Sequence, residues 1–307
     1  MRRSAKCFIH HIKTERNLSP RTIATYRDDI YLFIAFVEQH YQRGLLPGQV
    51  TTDMIQAYLE FLASEGYVKR NQPASRARRL TTLRSWFKYL HQAGLLRDDP
   101  ASRVRSPKVR QREPSFLTAE ECHRVIAAAG RHPNRFLAVR NQAIVATFLM
   151  TGVRLAELVG LNLRDMSLPR RILRVVRKGG EEHTIPISDD LARILRQYMR
   201  ARQKRTSSRA LFVSRTHVRI GRSTVWSLVR QSVRRAGIRR RVSPHTLRHS
   251  FASALLGQGE NLQAIRSLLN HKSIATTSRY LHLKDKELVQ AVNRLDFCRE
   301  PNREGKS

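Results

Sequence analysis

The sequence predicts a mainly α-helical protein with one small β-hairpin, arranged as two domains. Apolar residues recur at three- and four-residue spacing through most of the chain, which is the period of amphipathic helices. A basic segment with three prolines and few large apolar residues interrupts this pattern over residues 100–114, and we interpret it as a linker. We therefore expect a helical domain over residues 1–99 and a mixed α/β domain over residues 115–307.

Helix start signals organise the first domain. Ser19-Pro20 predicts an N-cap followed by proline in the first turn, and Thr51 predicts the start of another helix. A further apolar stripe ends before Gly94 and consists of Leu80, Leu83, Phe87 and Leu90. These patterns predict a small helical bundle.

The second domain opens with another helix signal. Thr118, with Glu121 three residues later, has the capping-box pattern, and the helical period also covers most of the chain from residue 191 onwards. Between these helical regions, residues 172–176 and 184–187 form two runs typical of strands. Gly179 and Gly180 mark the turn between them, so Lys178 is expected at the tip of a hairpin.

The charge of the chain indicates a polyanionic partner. Lys and Arg number 58 against 24 Asp and Glu, which gives a net charge of +34 and a pI near 11.5. Most of the basic residues are arginine, whose planar fork suits bidentate phosphate contacts. We therefore expect the partner to be nucleic acid.

Other classes of protein lack support in the sequence. No apolar run is long enough to span a membrane, and no charged-then-apolar leader with a cleavage site begins the chain, so we expect a cytoplasmic protein. The three cysteines are scattered, odd in number and form no C-x-x-C pair. They predict neither a disulfide framework nor a zinc site.

One arginine lies in an otherwise apolar helical pattern. In "MTGVRLAELVGL", Arg154 must either reach solvent or hold an anion. An ion pair with Glu157, three residues later, is the plainer interpretation of this motif on its own.

A second motif combines histidine with arginine. In "SPHTLRHSFASALL", His245 and Arg248 are expected on one face of a helix, where the fixed cation favours the neutral imidazole. Zinc ligation by His245 and His249 is the alternative. We discount the metal because no glutamate lies between the two histidines and Arg248 places a cation beside them.

Together with the tyrosine of "TTSRYLHL", these residues suit phosphoryl transfer. Such a reaction needs a nucleophile, cations for the non-bridging oxygens, a base and an acid. Tyr280 can attack the phosphorus, and Arg154 and Arg248 can bind its oxygens. His245 can accept the proton of the nucleophile, and Lys178 can protonate the departing 5′-oxygen. Taken singly, Tyr280 also fits a packing role and Lys178 a solvated turn, but the ordered set favours chemistry without a metal or cofactor.

These motifs resemble the tyrosine recombinase (integrase) family in its short, two-domain, Xer-like form. "TGVRLAEL", "HTLRHSFASALL" and "LLNHKSIATTSRYLHL" are similar to the three catalytic boxes of that family in order and spacing. "LSPRTIATYRDDIYLFIAFV" and "DPASRVRSPKVRQREPSFLTAEE" look like its core-binding domain and linker. The resemblance spans nearly the whole chain and implies a helical, SAM-like core-binding domain followed by a mixed α/β catalytic domain.

The resemblance also implies an activity and an assembly. It implies a nucleophile, Tyr280, and five assisting residues, Arg154, Lys178, His245, Arg248 and His271. Double-stranded DNA would be cut through a 3′-phosphotyrosine and exchanged between two sites by four protomers, identical or of two kinds. A C-terminal segment around residues 284–295 would dock on a neighbouring protomer, and the protein would associate with the nucleoid.

The chain departs from the family pattern at a few positions. Asn270 stands before His271 where the family has glycine, and Arg177 and Glu181 replace the glycine and lysine that commonly flank the hairpin lysine. Asparagine tolerates the left-handed conformation better than most residues, so we expect the helix end to keep its geometry. The first capped helix is expected at Ser19, which leaves no room before it for the arm-binding domain of some phage integrases.

Two other functions are consistent with the same sequence motifs and positive charge. A type IB topoisomerase has similar tyrosine chemistry but rejoins the original strand, and a DNA-binding protein of this fold that lacks catalysis needs only the positive charge. The two-domain set of motifs favours a recombinase over a topoisomerase. All six candidate residues are present, which argues against an inactive protein.

Overall fold

The computed structural model describes residues 1–16, 18–109, 116–176, 180–203, 206–258, 292–295 and 297. The chain divides into two units, Met1–Arg112 and Glu113–Ser307. Helices dominate the described part of each unit, and a small sheet lies in the second, which confirms the predicted fold class.

The first unit is a bundle of helices. Its described α-helices are α1 (Arg2–Thr14), α2 (Pro20–His40), α3 (Thr52–Ser64) and α4 (Pro73–Gln92). The predicted caps are confirmed, because Ser19 Oγ accepts a hydrogen bond from the Thr22 amide and Thr51 Oγ1 accepts one from the Met54 amide. α1 was not predicted, since its N-cap has no side-chain hydrogen bond and so leaves no start signal in the sequence.

A buried carboxylate joins two helices of this bundle. Asp29 on α2 is buried, and its Oδ1 accepts a hydrogen bond of 3.0 Å from Arg78 on α4. Its Oδ2 accepts another of 3.0 Å from the hydroxyl of Thr82. Around this pair the core is aromatic, with buried side chains that include Phe33, Tyr58, Trp86 and Phe87.

The beginning of the predicted linker packs on the first unit. Ala101 and Val104 are buried in its core. Arg84 on α4 binds their carbonyl oxygens at 3.3 and 2.5 Å. These residues therefore belong to the bundle, and the exact limits of the linker stay a prediction.

The second unit combines helices with one sheet. Its described α-helices are α5 (Ala119–Ala129), α6 (Arg135–Thr151), α7 (Leu155–Gly160), α8 (Asp189–Gln203), α9 (Arg222–Arg235) and α10 (Pro244–Gly257). The capping box predicted at Thr118 and Glu121 is confirmed at the start of α5. No helix among the described residues is long and apolar enough to cross a membrane.

Helix α6 is the centre of this unit. From Ala143 to Thr151 every residue is buried, because α5, α8 and α10 all pack against the helix. The start of α6 is capped by Asn134, whose Oδ1 accepts from the Leu137 amide at 3.0 Å. The loop that carries Arg154 directly follows the C-terminal end of α6.

The sheet has three antiparallel strands in the order β1 (Met166–Ser167), β2 (Ile172–Val176) and β3 (Glu182–Pro186). The predicted hairpin is confirmed, and the β2–β3 register runs from Ile172 opposite Pro186 to Val176 opposite Glu182. β3, the second strand of the hairpin, begins at residue 182, two residues earlier than predicted. β1 was missed because two residues are too short a run for alternation to be recognised.

The described residues near the C-terminus pack on the second unit. Val292, Leu295 and Phe297 are buried in its core. Asn293 Oδ1 accepts a hydrogen bond of 3.1 Å from the Asp189 amide at the start of α8. The expected docking of residues 284–295 on a neighbouring protomer stays a prediction, and residues 284–291 lie outside the described residues.

Candidate active site

Arg154 lies in a break between two helices. Gly152 ends α6 in the left-handed conformation, with φ +61°, and its amide donates to the Phe148 carbonyl at 3.0 Å. Arg154 is then the N-cap of α7, in an extended conformation. The expectation that Arg154 lies within a continuous helix is therefore wrong, because glycine adopts this helix-ending conformation without steric cost.

Glu157 holds Arg154 by two contacts. Glu157 Oε1 accepts from Arg154 Nη1 at 2.9 Å, and Glu157 Oε2 accepts from the Arg154 backbone amide at 2.7 Å. The carboxylate side chain is 6% exposed, whereas that of Arg154 is 43% exposed. The predicted ion pair is confirmed. It uses one of the five N–H donors of the guanidinium, so pairing with Glu157 is compatible with binding a phosphate.

Helix α10 places Arg248 beside the same loop. The helix starts with Ser243 as its cap and Pro244 in its first turn. Arg248 is 5% exposed, and its Nη1 donates a hydrogen bond to the carbonyl oxygen of Gly152, 96 residues earlier in the sequence. A buried cation thus binds the loop that carries Arg154.

His245 lies on α10 one turn before a second histidine. The Nε2 atoms of His245 and His249 are 3.1 Å apart, and the ring centroids are 4.4 Å apart with an interplanar angle of 73°. His245 is exposed and His249 is half-buried. Among the described residues no group of three or more histidine, cysteine, aspartate or glutamate side chains is arranged to hold a metal ion.

The backbone around α7 is held by a further arginine. Arg219 Nη1 donates to the carbonyl oxygens of Val159 and Leu161 at 2.7 and 3.0 Å, and Arg219 Nη2 donates to Asn162 Oδ1 at 2.6 Å. The bond to Val159 satisfies a carbonyl at the end of the helix. The bond to Leu161 adds to the one that this carbonyl accepts from the Leu211 amide at 2.9 Å. They fix the C-terminal end of the short helix whose N-cap is Arg154.

Residues that directly precede α10 in the sequence line a basic groove. It has a volume of about 780 Å³ and runs between α9 and residues 238–242. Its wall contains Trp226, which is 40% exposed, together with Arg230, Arg234, Arg239, Arg240 and Arg241. The sequence has no Asp or Glu between residues 191 and 259, and Arg240 in the wall pairs with Glu121 from outside that stretch.

Three of the six predicted site residues lie outside the described residues. These are Lys178, His271 and Tyr280. For Lys178 the flanking strands are described, and they are paired as far as Val176 and Glu182. The roles of all three residues stay predictions.

Two residues, Glu157 and His249, contact predicted site residues, and the sequence assigned neither of them a supporting role. Glu157 was treated as an alternative to phosphate binding by Arg154, although it holds that arginine in place. His249 was considered only as a zinc ligand, although its ring contacts His245. The four-residue spacing of the two histidines was the signal for this contact.

Two family models match the chain. The model described as the phage integrase family matches residues 115–287. The model described as the phage integrase N-terminal SAM-like domain matches residues 5–94. The two matches together cover most of the sequence.

Similar proteins include tyrosine recombinases from bacteria. Tyrosine recombinase XerC of Pelobacter propionicus is 32% identical over 289 residues, which cover 94% of this chain and 93% of that protein. Tyrosine recombinase XerC of Azotobacter vinelandii is 35% identical over 293 residues, with 94% of each chain covered. A lambda integrase tetramer bound to a Holliday junction is similar in fold, with a TM-score of 0.66 and 21% identity over 89% of this chain and 77% of that one.

Proposed function

The chain belongs to the phage integrase family and is a site-specific tyrosine recombinase, and we propose that it cuts DNA through a 3′-phosphotyrosine at Tyr280. The observation that carries this proposal is the hydrogen bond from Arg248 to the Gly152 carbonyl, beside Arg154. Two guanidinium groups near one loop suit a phosphodiester whose two non-bridging oxygens gain charge in the transition state.

Cleavage exchanges one phosphoester bond for another. The phenolic oxygen of Tyr280 attacks the phosphorus, and His245 accepts the phenolic proton. Arg154 and Arg248 bind the non-bridging oxygens, and His271 donates a hydrogen bond to the phosphate. The bond to the 5′-oxygen breaks, and Lys178 protonates that oxygen so that it leaves as a hydroxyl.

Rejoining reverses these steps on a different strand. The 5′-hydroxyl of a partner strand attacks the phosphotyrosine, and Tyr280 leaves as its phenol. Because the phosphoester bond is conserved in the covalent intermediate, the cycle needs no ATP. The two arginines supply the positive charge at the phosphate, so the scheme uses no metal ion or other cofactor.

The two units have separate roles in this proposal. Residues 1–99 form the core-binding domain that contacts DNA, residues 100–114 form a basic linker, and residues 115–307 form the catalytic domain. The net charge of +34 supports a duplex DNA partner for both domains. The groove beside α9 supports DNA contact close to α10, because its arginines suit phosphates.

We also propose an assembly and a location. A lambda integrase of similar fold forms a tetramer on a Holliday junction, which supports four copies of this chain, or of this chain and a related one, on two DNA sites. The chain would then act in the cytoplasm, on DNA of the nucleoid.

Covalent capture tests the proposal. The protein is incubated with fragmented bacterial DNA, stopped with detergent, and the DNA that remains attached is sequenced to recover the cleavage site. A nicked duplex carrying that site is then offered to the wild-type protein and to the Tyr280→Phe variant. The wild type should form the adduct, whereas the variant should bind DNA with unchanged affinity and form none, because only the hydroxyl is removed.

Three outcomes of this experiment contradict the proposal. An adduct that persists in Tyr280→Phe assigns the nucleophile to another residue. A wild-type protein that forms the adduct and relaxes a supercoiled plasmid carrying the site, but does not exchange strands between two duplexes, is a topoisomerase. Specific binding without any adduct in the wild type indicates a DNA-binding protein that lacks catalysis.

A further inference from the structure

We propose that His249 is a positioning residue that holds His245 in the protonation form needed for catalysis. The two side chains project from the same face of α10, one turn apart, and their Nε2 atoms are 3.1 Å apart. This inference rests on the proposed function of His245 as the base that accepts the proton of Tyr280.

The contact between the two rings constrains where their protons lie. A hydrogen bond between two Nε2 atoms needs one N–H group and one lone pair, so only one of the two atoms carries a proton. In this proposal the Nε2 of His245 keeps its contact with His249 during cleavage, and Nδ1 is the atom that accepts the proton of the nucleophile. A neutral imidazole with its lone pair on Nδ1 carries its proton on Nε2, which makes His245 the donor and His249 the acceptor.

The same contact serves the charged form of His245. When the phenolic proton of Tyr280 moves to Nδ1, His245 becomes an imidazolium with a proton on each nitrogen. The Nε2–H group continues to donate to Nε2 of His249, so the charge that develops on His245 meets a neutral acceptor. The proton returns from Nδ1 to the phenolic oxygen when the strand is rejoined, and no proton is gained or lost over the cycle.

The helix that carries the pair is fixed by its neighbours. Arg248, between the two histidines in the sequence, donates to the Gly152 carbonyl, and Ser250 accepts from the Leu117 amide at 2.8 Å. A pair on a helix that is held in this way keeps its geometry, and His249 then lies behind His245 as a neutral acceptor. In a serine protease the equivalent position behind the catalytic histidine is a carboxylate.

Three substitutions of His249 test whether its side chain must accept a hydrogen bond or must only fill the same space. His249→Leu removes the acceptor. Single-turnover cleavage should then slow about 10- to 100-fold, because His245 loses the hydrogen bond that orients it. His249→Gln retains an acceptor oxygen and should recover most of the rate. His249→Lys can only donate, so it should be at least as slow as His249→Leu.

Ser253→Ala, on the same helix and without a proposed role, is the matched control and should cleave at the wild-type rate. Thermal unfolding and DNA affinity of each variant are measured alongside. Equal rates for His249→Leu, His249→Gln and wild type would overturn the proposal. A Gln variant as slow as the Leu variant, with both folded and bound to DNA, would also overturn it, because the effect would then not follow the acceptor.

A double mutant distinguishes this inference from the function on which it rests. His245→Ala alone should slow cleavage by about 10²- to 10⁴-fold, and adding His249→Leu to it should cause no further loss, because His249 acts only through His245. Additive losses would overturn the positioning role while leaving His245 as the base. Normal cleavage by His245→Ala would instead overturn the assignment of the base itself.

Discussion

The backbone amide of Leu117 donates a hydrogen bond of 2.8 Å to Ser250 Oγ, across 133 residues of sequence. Both residues are buried, and Ser250 lies on α10, two residues after Arg248. Arg240, just before α10, also donates to the carbonyl oxygen of Phe116 at 3.0 Å. The start of the second unit is therefore joined to α10 and to the residues just before it.

Loss of the Ser250 hydroxyl should affect both stability and rate. Ser250→Ala leaves the buried Leu117 amide without its acceptor, which should lower the free energy of unfolding by about 1–3 kcal/mol. Cleavage should slow as well, because Arg248 on the same helix would be held less rigidly. Urea unfolding and single-turnover cleavage measure the two effects, with the half-buried Ser253→Ala as the control. Equal stability of Ser250→Ala and Ser253→Ala would contradict the role of this bond.

Removing the charge of Glu157 should leave the guanidinium of Arg154 less firmly oriented. Glu157→Gln preserves the size of the side chain but replaces an ion pair of 2.9 Å with a neutral contact. Cleavage should fall about 10- to 100-fold while DNA affinity changes little, since the lost interaction orients a residue at the phosphate. Asp190→Asn, which removes an exposed ion pair with Arg193, is the control and should have no measurable effect. Wild-type cleavage by Glu157→Gln would show that Arg154 needs no carboxylate to orient it.

The role of Lys178 as the general acid can be tested with altered DNA. Lys178→Ala should slow cleavage of ordinary DNA by about 10²- to 10⁴-fold, with binding nearly unchanged. A strand with sulfur in place of the bridging 5′-oxygen departs as a thiolate, which needs no acid, so Lys178→Ala should cleave it about as fast as the wild type does. Arg154→Ala should gain much less from sulfur, because the non-bridging oxygens would still lack their cation.

Two results of the sulfur experiment would contradict that role. Normal cleavage of ordinary DNA by Lys178→Ala would indicate a solvated lysine in a turn. Slow cleavage of both substrates would indicate that Lys178 binds the phosphate or holds the hairpin, and that another residue supplies the proton.

Chelation tests the absence of a metal from the chemistry. Cleavage of the nicked duplex should proceed at an unchanged rate in excess EDTA, because in the proposed mechanism Arg154 and Arg248 supply the positive charge that a metal ion supplies in a metallonuclease. Adduct yield on a denaturing gel measures this, and a magnesium-dependent nuclease in the same buffer shows that chelation is complete. Activity that returns only when magnesium is added would contradict the scheme.

The sequence by itself determined three of the helix starts and the hairpin. Ser19, Thr51 and Thr118 cap helices as predicted, because a capping hydrogen bond joins residues three apart and depends on little beyond them. The alternation over residues 172–176 likewise predicted β2. α1 and β1 escaped prediction because the first lacks a capping side chain and the second is only two residues long.

The candidate site stays a prediction as a set of six residues, of which Arg154, His245 and Arg248 lie among the described residues. The pairing of Arg154 with Glu157 followed from their spacing, but the local structure in which the pair forms did not. Sequence spacing favoured Glu157 as a simple partner of Arg154 within a helix, whereas Gly152 breaks that helix and makes Arg154 an N-cap.

Only the tertiary structure decided how the described parts of the site meet. The bond from Arg248 to Gly152 and the bond from Leu117 to Ser250 each join residues that are far apart in sequence. Such contacts depend on how α10 packs against α6 and on where the chain enters the second unit, and no local pattern encodes either. Local sequence thus determined which residues form helices, strands and motifs, whereas packing around α6 decided that Arg248 on α10 contacts the loop that carries Arg154.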